Sequence, residues 1–536
     1  MSVLLNKLKE SKKRLFVGMA GPGTGKSTSF KSIVESDEFK DKKILILSFI
    51  NKLVDDLTED FKNFENVTVL TLHAFAKGKL GDVDLSEDLD TIVSEDHFFI
   101  NGDKIKYDHK FYENNLAEKE ETFYEERRNF YKYEKELYSF NSIIYAVNRL
   151  FNKHEDKIPT EWDLILIDEF QDFNKSEYEL IKLLNKKCTT VLVGDDYQSL
   201  YDWKKAEPKQ IRDLYADDST EEFSLDYCYR CTEVIVGATN DLIKNAKNKG
   251  YLIDSKVKNF LYPKDDDKHE KKHEVSKKYA VIDFISSVSG DKLIYELEKN
   301  IKADTNGEYK KRILILVPGY LKQTIYDGLI RKGFNIVEFE LFSKEESNKI
   351  KHKNLIGTFE TLAKRKTDNL ALRKILSLYL SVDGIKELLQ KNKKFWLCLS
   401  DSIKKKIEDD IAIFKKVKKG KDKLSEQELK RFNEIFNLKN LLSKMVKGFS
   451  PIAKGAIEVE MTTVMSSKGL SADFVYYVGI DDRNTLDKET KKFTDQKICE
   501  FLVGMTRAKE KLTLISLEDE NPKILELLDK KYINKK

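Results

Sequence analysis

Near the start of the chain, Ala20-Gly21-Pro22-Gly23-Thr24-Gly25-Lys26-Ser27-Thr28 has the composition needed to hold a polyphosphate. Glycines let successive backbone N–H groups converge on phosphate oxygens, and a helix opening at Lys26 would add the positive end of its dipole. The Lys26 ammonium is expected to reach the β- and γ-phosphates, and the Ser27 hydroxyl to ligate Mg²⁺. Ala20 replaces the usual first glycine, which leaves the N–H groups of residues 21–26 available. Further along, Asp168 and Glu169 leave the apolar run Leu164-Ile165-Leu166-Ile167 as adjacent carboxylates. Beside a phosphate loop such a pair has two jobs: Asp168 is assigned to the metal, and Glu169 to orienting and deprotonating the attacking water.

Chemistry of this kind needs a scaffold that brings strand ends together. Short apolar runs recur at 15–19, 44–47, 164–167, 191–193, 313–317, 475–478 and 512–515, with helical patterns between them. Strands alternating with helices predict parallel sheets covered on both faces. The runs form two groups, one before about residue 220 and one after about 310. The fold class is therefore α/β: two P-loop-type domains with parallel sheets, each interrupted by a mainly helical insertion. The expected boundaries are 1–78 and 158–225 for the first domain, with 79–157 inserted. The second domain is expected at 226–365 and 455–536, with 366–454 inserted. The second insertion is lysine-rich: residues 404–447 hold fourteen Lys/Arg against seven Asp/Glu. That excess fits either a phosphate-contacting surface or a solvated helix face.

At 536 residues and 40% hydrophobic content the chain is too long for one core and can build several. Charged residues make up 35% yet nearly cancel to +4, so contact with nucleic acid requires a local basic surface. Five scattered cysteines, Cys188, Cys228, Cys231, Cys398 and Cys499, argue for reduced thiols rather than a disulfide framework. Cys228 and Cys231 have metal-ligand spacing but no second pair. No apolar stretch approaches the roughly 20 residues of a membrane helix. The expectation is a soluble cytoplasmic protein without a signal peptide.

Several segments, taken in order, resemble the motifs of the UvrD/Rep/PcrA group of superfamily 1 helicases. Asp168-Glu169-Phe170-Gln171-Asp172 is similar to the group's second motif. Ser48-Phe49-Ile50-Asn51-Lys52 resembles its Thr-Phe-Thr-Asn-Lys, and Thr71-Leu72-His73-Ala74-Phe75 its Thr-Phe-His-Ser-Phe. The segment from Val193 through Gln198 to Tyr201 resembles Val-Gly-Asp-Asp-Asp-Gln-Ser-Ile-Tyr, and Tyr229-Arg230 its Asn-Tyr-Arg-Ser. Asp368-Asn369-Leu370-Ala371-Leu372-Arg373 is similar to the opening of the second insertion. The segments 463–470 and 503–509 resemble the last two motifs.

The resemblance implies two RecA-like domains with ATP held between them. It makes Gln198 a sensor of the γ-phosphate, and Arg230 and Arg507 the arginines that neutralise charge on the transferred group. Tyr229 is implied to stack on adenine, and Gly469 to lie in the nucleotide set. DNA contacts are implied at Phe49, Asn51, Lys52, Thr71, His73, Trp203, Thr463 and Ser466, with Phe49 and Trp203 stacking on bases. The implied activity is an ATP-dependent single-stranded DNA translocase or helicase moving 3′ to 5′ on single-stranded or tailed duplex DNA. Two alternatives stand beside it: a DNA-stimulated ATPase subunit that senses DNA for a partner nuclease, as in Gabija-type antiviral systems, and a DNA-binding scaffold without hydrolysis.

Some positions depart from the group's pattern. No glutamine precedes Gln171, although the group reads adenine with one before the phosphate loop; Lys204-Lys205 replace Arg-Gly, Met465 a histidine and Ser471 a glutamate. His269-Glu270-Lys271-Lys272-His273 matches a zinc-protease pattern but sits among lysines and aspartates, in a stretch from 262 to 278 that reads as a surface loop. Lys535-Lys536 reads as a charged tail.

Overall fold

The computed structural model describes residues 3–48, 51–108, 118–198, 208–255, 260–264, 269–305, 311–337, 355–419, 424–436 and 457–536. Two compact units emerge. One comprises Met1–Leu72, Ile158–Lys344 and Ile452–Lys536; the other comprises His73–Lys157 and Glu345–Pro451.

The first unit holds two parallel sheets. The strand order in the first is Val67–Thr71, Ile44–Ser48, Leu164–Ile167, Thr189–Gly194, Leu15–Ala20 and Glu221–Leu225, with every neighbouring pair parallel. Leu164–Ile167 is buried at every position, as a strand covered on both faces must be. Parallel pairing sends the carboxyl ends of Leu15–Ala20, Leu164–Ile167 and Thr189–Gly194 to one edge. Gly21, Asp168 and Asp195 leave the strands there, where ligands bind in open α/β sheets.

The second sheet runs Asn335–Val337, Glu458–Thr462, Ile313–Leu316, Ala472–Val478, Ala508–Ile515, Ile282–Ile285 and Ile533–Lys535, again all parallel. Its side chains alternate between two cores. Leu314, Leu316, Val475 and Leu512 pack with the helices Glu233–Asn248 and Asp495–Met505. Ile313, Ile315, Phe474 and Tyr476 pack with Gly290–Thr305 and Lys322–Arg331.

Two stretches differ from the sequence-based expectation. The supposed tail pairs as a strand, Ile533–Lys535, against Ile282–Ile285, and the Lys536 ammonium lies 2.7 Å from Asp283. The supposed loop at 262–278 contains the helix Glu270–Lys278. Polar contacts anchor this helix: the Glu233 N–H donates to Ser276 Oγ at 2.8 Å, and Lys272 Nζ donates to the Cys228 carbonyl at 2.7 Å. Helices docked by polar contacts leave no hydrophobic period in the sequence.

The second unit joins the two insertions around one core. Leu89, Ile92 and Tyr124 from the first meet Leu372, Ile375 and Phe395 from the second. Its cuts lie at 72/73 and 344/345, where the sequence reading placed 78/79 and 365/366. The helix Leu355–Lys364 buries Thr358, Phe359 and Leu362 in the insertion core, which moves that boundary upstream. At the centre, Asp96 is fully buried. It accepts from Arg127 Nη2 at 2.7 Å and Arg373 Nε at 2.9 Å, and also from the Tyr131 hydroxyl. Burial opposes the Arg373 charge, but Asp96 more than restores it and holds the guanidinium above its ordinary value. Asp96→Ala would take the carboxylate partner from buried Arg127 and leave Arg373 with Glu95, so hydrogen-exchange stability of the helices Leu89–Asn101, Glu118–Tyr131 and Asn369–Ile375 is expected to drop by about 3–5 kcal/mol. The strand Leu164–Ile167 should keep its protection; an equal loss there would contradict two separately cohering units.

Candidate nucleotide site

The phosphate-type loop leaves the buried Ala20 and turns through Gly23 at φ 69° and Gly25 at φ 86°, the left-handed region that glycine tolerates. Gly25 caps the helix Lys26–Val34, so Lys26, Ser27 and Thr28 form its first turn. Thr24 Oγ1 donates to the Gly21 carbonyl at 2.9 Å and braces the loop. A side chain at Gly23 would strike Arg230, whose Cβ lies 2.3 Å from where that carbon would stand. The Tyr229 N–H donates to the Gly23 carbonyl at 2.8 Å. The Tyr229–Arg230 segment therefore rests directly on the loop.

Lys26 Nζ donates to Glu169 Oε1 at 2.7 Å and lies 3.8 Å from Asp168 Oδ1. Burial works against the Lys26 charge, yet the two carboxylates outweigh it and hold the ammonium above its usual value. Burial pushes Asp168 up. The same burial would raise Glu169, but Lys26 and Lys468 hold it well below the usual carboxylate range. Glu169 itself has φ 54°, a left-handed backbone uncommon outside glycine, asparagine and aspartate. Its second oxygen accepts from Gln171 Nε2 at 2.6 Å, and Gln171 Oε1 accepts the Asp195 N–H at 2.9 Å.

Residues from the second sheet complete the cluster. Arg507 lies between the helix Asp495–Met505 and the strand Ala508–Ile515 and is 1% exposed. It donates to the Val503 carbonyl at 3.0 Å, the Leu470 carbonyl at 3.2 Å and Gln198 Oε1 at 3.1 Å. Among the described residues these partners are neutral oxygens. Burial, reinforced by the like charge of Arg230, lowers the Arg507 guanidinium to about 9, so it remains a cation at neutral pH. Gln198 ends the turn Asp196–Gln198, and its Nε2 donates to Asp195 Oδ2 at 2.7 Å.

The least anticipated member is Lys468, buried to 4% exposure. Its ammonium donates to Asp172 and, at 2.8 Å, to the Gln198 carbonyl, and lies 3.9 Å from Glu169. Sequence reasoning matched the motif that contains it but gave roles only to neighbours; the same holds for Gln171 and Asp172. Burial pushes Asp172 up to about 6 against the pull of Lys468.

The structure brings Lys26, Asp168, Glu169, Gln198 and Arg507 into one contact network and lays Tyr229 and Arg230 on the loop. Gly469, at φ 84°, lies in the turn before Ala472–Val478. The Tyr229 ring is 43% exposed and stands 5.0 Å from the His269 ring. His273 instead faces Tyr262, at 5.4 Å, so the two histidines address different aromatics.

The residues expected at DNA fall on several elements. Phe49 and Trp203 lie outside the described residues. Asn51 and Lys52 open the helix Asn51–Phe61, and Thr71 ends the strand Val67–Thr71. His73 belongs to the helix Leu72–Leu80 in the second unit, its ring edge-on to Phe140 at 5.1 Å. Thr463 Oγ1 donates to Ser466 Oγ at 3.1 Å in the turn after Glu458–Thr462.

The donor set fits a nucleoside triphosphate with its metal. Two left-handed glycines shape a cradle, Ser27 lies in the first turn of the helix beside it, and among the described residues Ser48 Oγ and Asp172 Oδ1 are buried without hydrogen-bond partners at the strand-end edge. Phosphate loop, paired carboxylates and two parallel sheets define a P-loop nucleoside triphosphatase with two RecA-like domains.

The UvrD/REP helicase N-terminal domain model matches residues 101–219, and the UvrD-like helicase C-terminal domain model matches residues 405–519. The ATP-dependent DNA helicase Rep of Buchnera aphidicola subsp. Acyrthosiphon pisum is 26% identical over 467 residues, covering 72% of this chain and 68% of that one. The probable DNA helicase II homolog of Mycoplasma capricolum is 25% identical over 448 residues, covering 72% of this chain and 60% of that one. DNA helicase II of Haemophilus influenzae is 42% identical over 86 residues, 16% of this chain and 12% of that one. The chain thus spans about two thirds of its longer-matching relatives. Together these matches support a UvrD-like superfamily 1A helicase. Among the described residues no helix is long and apolar enough to cross a membrane.

Lys468→Ala should leave the Asp172 carboxylate buried without its cation and cost about 3–5 kcal/mol in urea denaturation. Adding Asp172→Asn should recover most of that loss; an additive double variant would show that the two side chains do not depend on each other.

Proposed function

We propose that this chain hydrolyses ATP to move 3′ to 5′ along single-stranded DNA and to separate the duplex ahead of it. The observation that carries the reading is the Arg507 guanidinium: a buried cation whose hydrogen bonds, among the described residues, go to neutral oxygens, directed at Gln198 beside the phosphate loop. Such a group gains a full ionic partner when a phosphoryl group carries developing negative charge near it. Arginine suits the task because its planar fork stays charged.

In this reading Lys26 turns from Glu169 to the β- and γ-phosphates. Ser27 and Asp168 hold Mg²⁺, which when bound offsets phosphate charge. Glu169, freed from Lys26, accepts a proton from the attacking water while Gln198 orients it. Arg230 and Arg507 neutralise the γ-phosphoryl group, and Tyr229 stacks on the base. Lys468 and Arg507 come from the second sheet, so loss of the γ-phosphate changes what the two sheets share. Translocation would follow if the DNA set (Phe49, Asn51, Lys52, Thr71, His73, Trp203, Thr463 and Ser466) grips and releases in step, with Phe49 and Trp203 stacking on bases.

Glu169→Gln is expected to retain nucleotide binding while lowering ATP turnover by about 10²–10⁴-fold. Near-normal hydrolysis would remove Glu169 from its role. ATPase and strand-separation assays on blunt, 3′-tailed and 5′-tailed duplexes test the direction. The expected outcome is stimulation by single strands and unwinding of the 3′-tailed duplex; unwinding of the 5′-tailed duplex alone would reverse the polarity. Stimulated hydrolysis without strand separation would instead favour the DNA-sensing subunit.

A further inference from the structure

Two thiols bracket Tyr229 and Arg230. Cys228 and Cys231 are both free and fully buried. The Cys231 N–H donates to the Cys228 sulfur at 3.4 Å, so the short turn folds the second cysteine back onto the first. The Cys231 thiol is directed at the Thr506 carbonyl, 3.7 Å away and next to Arg507. Lys272, anchored on the Cys228 carbonyl at 2.7 Å, brings a cation to the same turn. Two residues between cysteines is the spacing of redox-active dithiols. Burial alone would raise the Cys228 thiol, but the Cys231 thiol and N–H, together with Lys272, lower it to about 6; the same contact pushes Cys231 up. With the Cys231 N–H on its sulfur and the Lys272 cation anchored at its carbonyl, Cys228 is the better placed to hold a thiolate, so attack falls to Cys228 and resolution to Cys231.

We propose that Cys228 and Cys231 are a peroxide-modifiable pair that closes to a reversible disulfide and thereby fixes the segment carrying Tyr229 and Arg230. The Cys228 thiolate attacks one oxygen of a hydroperoxide; the O–O bond breaks, leaving a sulfenic acid on Cys228 and releasing hydroxide, or alkoxide from an organic peroxide. The Cys231 sulfur then attacks the sulfenic sulfur, the S–O bond breaks, and water leaves with the Cys231 proton. Two thiols lose two electrons in total and the peroxide gains them. Closing the bond draws the sulfurs to about 2.05 Å and takes the Cys231 donor from the Thr506 carbonyl. Because Arg230 already packs against Gly23, the constrained turn has little room to shift on the loop. The effect on turnover rests on the proposed roles of Tyr229 and Arg230, whereas formation of the disulfide does not.

The test treats the full chain with hydrogen peroxide, quenches with catalase, denatures and alkylates it, and reads peptides by mass. The half-buried Cys398 is the internal control for dose. The expected result is an unalkylated Cys228–Cys231 peptide lighter by two hydrogens, formed with parallel loss of DNA-stimulated ATPase, both restored by dithiothreitol. Cys231→Ser should abolish the internal disulfide, and so should Cys228→Ser. Full alkylation of both cysteines at a dose that oxidises Cys398 overturns the proposal, as does disulfide formation with undiminished ATPase. Untreated protein without ATPase would count against the proposed function, and the peptide masses would still decide the disulfide.

Discussion

Charge burial at the carboxyl edge of the first sheet is the constraint on which this molecule depends. Parallel strands deliver Gly21, Asp168 and Asp195 to one edge, and the segments beyond them carry Lys26, Glu169 and Gln198 into a largely buried site. Ionic groups there persist only where partners replace their hydration. Glu169 meets the condition by dividing its oxygens between Lys26 and Gln171, at the expense of an uncommon backbone conformation. Asp172 meets it through Lys468. Among the described residues Arg507 donates to neutral acceptors, and a buried cation held that way suits a polyanion.

The same constraint links the two sheets. Lys468 and Arg507 reach across to Asp172 and Gln198 from positions about 300 residues later in the chain, and the Tyr229–Arg230 segment lies on the loop of the first sheet. The strands behind these residues are packed on both faces, so they transmit a change at the site instead of absorbing it. A charge added or removed between Lys26 and Arg507 is consequently felt on both sides.

Local signals made much of this legible in the sequence. The phosphate loop, the Asp168/Glu169 pair and Gln198 each follow an apolar run at short spacing, which fixes where the side chains emerge. The fold class followed from the same runs. Lys468 carries no such mark, being one cation among 96 lysines and arginines, and only the fold reveals its burial. The helix Glu270–Lys278 and the strand Ile533–Lys535 were missed for a related reason: polar contacts and backbone pairing hold them, and neither leaves an apolar period. The union of the two insertions depends on Asp96 meeting Arg373, 277 residues away, a pairing no local pattern encodes. Phe49 and Trp203 fall outside the described residues, so their stacking role rests on resemblance alone.

The two ends of the proposed nucleotide site are unequal. At the phosphate end, left-handed glycines, Lys26 and buried cations fix position through backbone geometry and charge. At the base end, the Tyr229 ring is partly exposed and stands beside the His269 ring, and no glutamine precedes Gln171. Aromatic stacking tolerates any base because every base presents a π-face, whereas discrimination requires hydrogen bonds whose loss is costly. The Tyr229 N–H is tied to the Gly23 carbonyl, so the ring follows the phosphate loop and adds no separate reading of the base edge. On the proposed reading, therefore, affinity and coupling reside in the triphosphate, and the identity of the base contributes least.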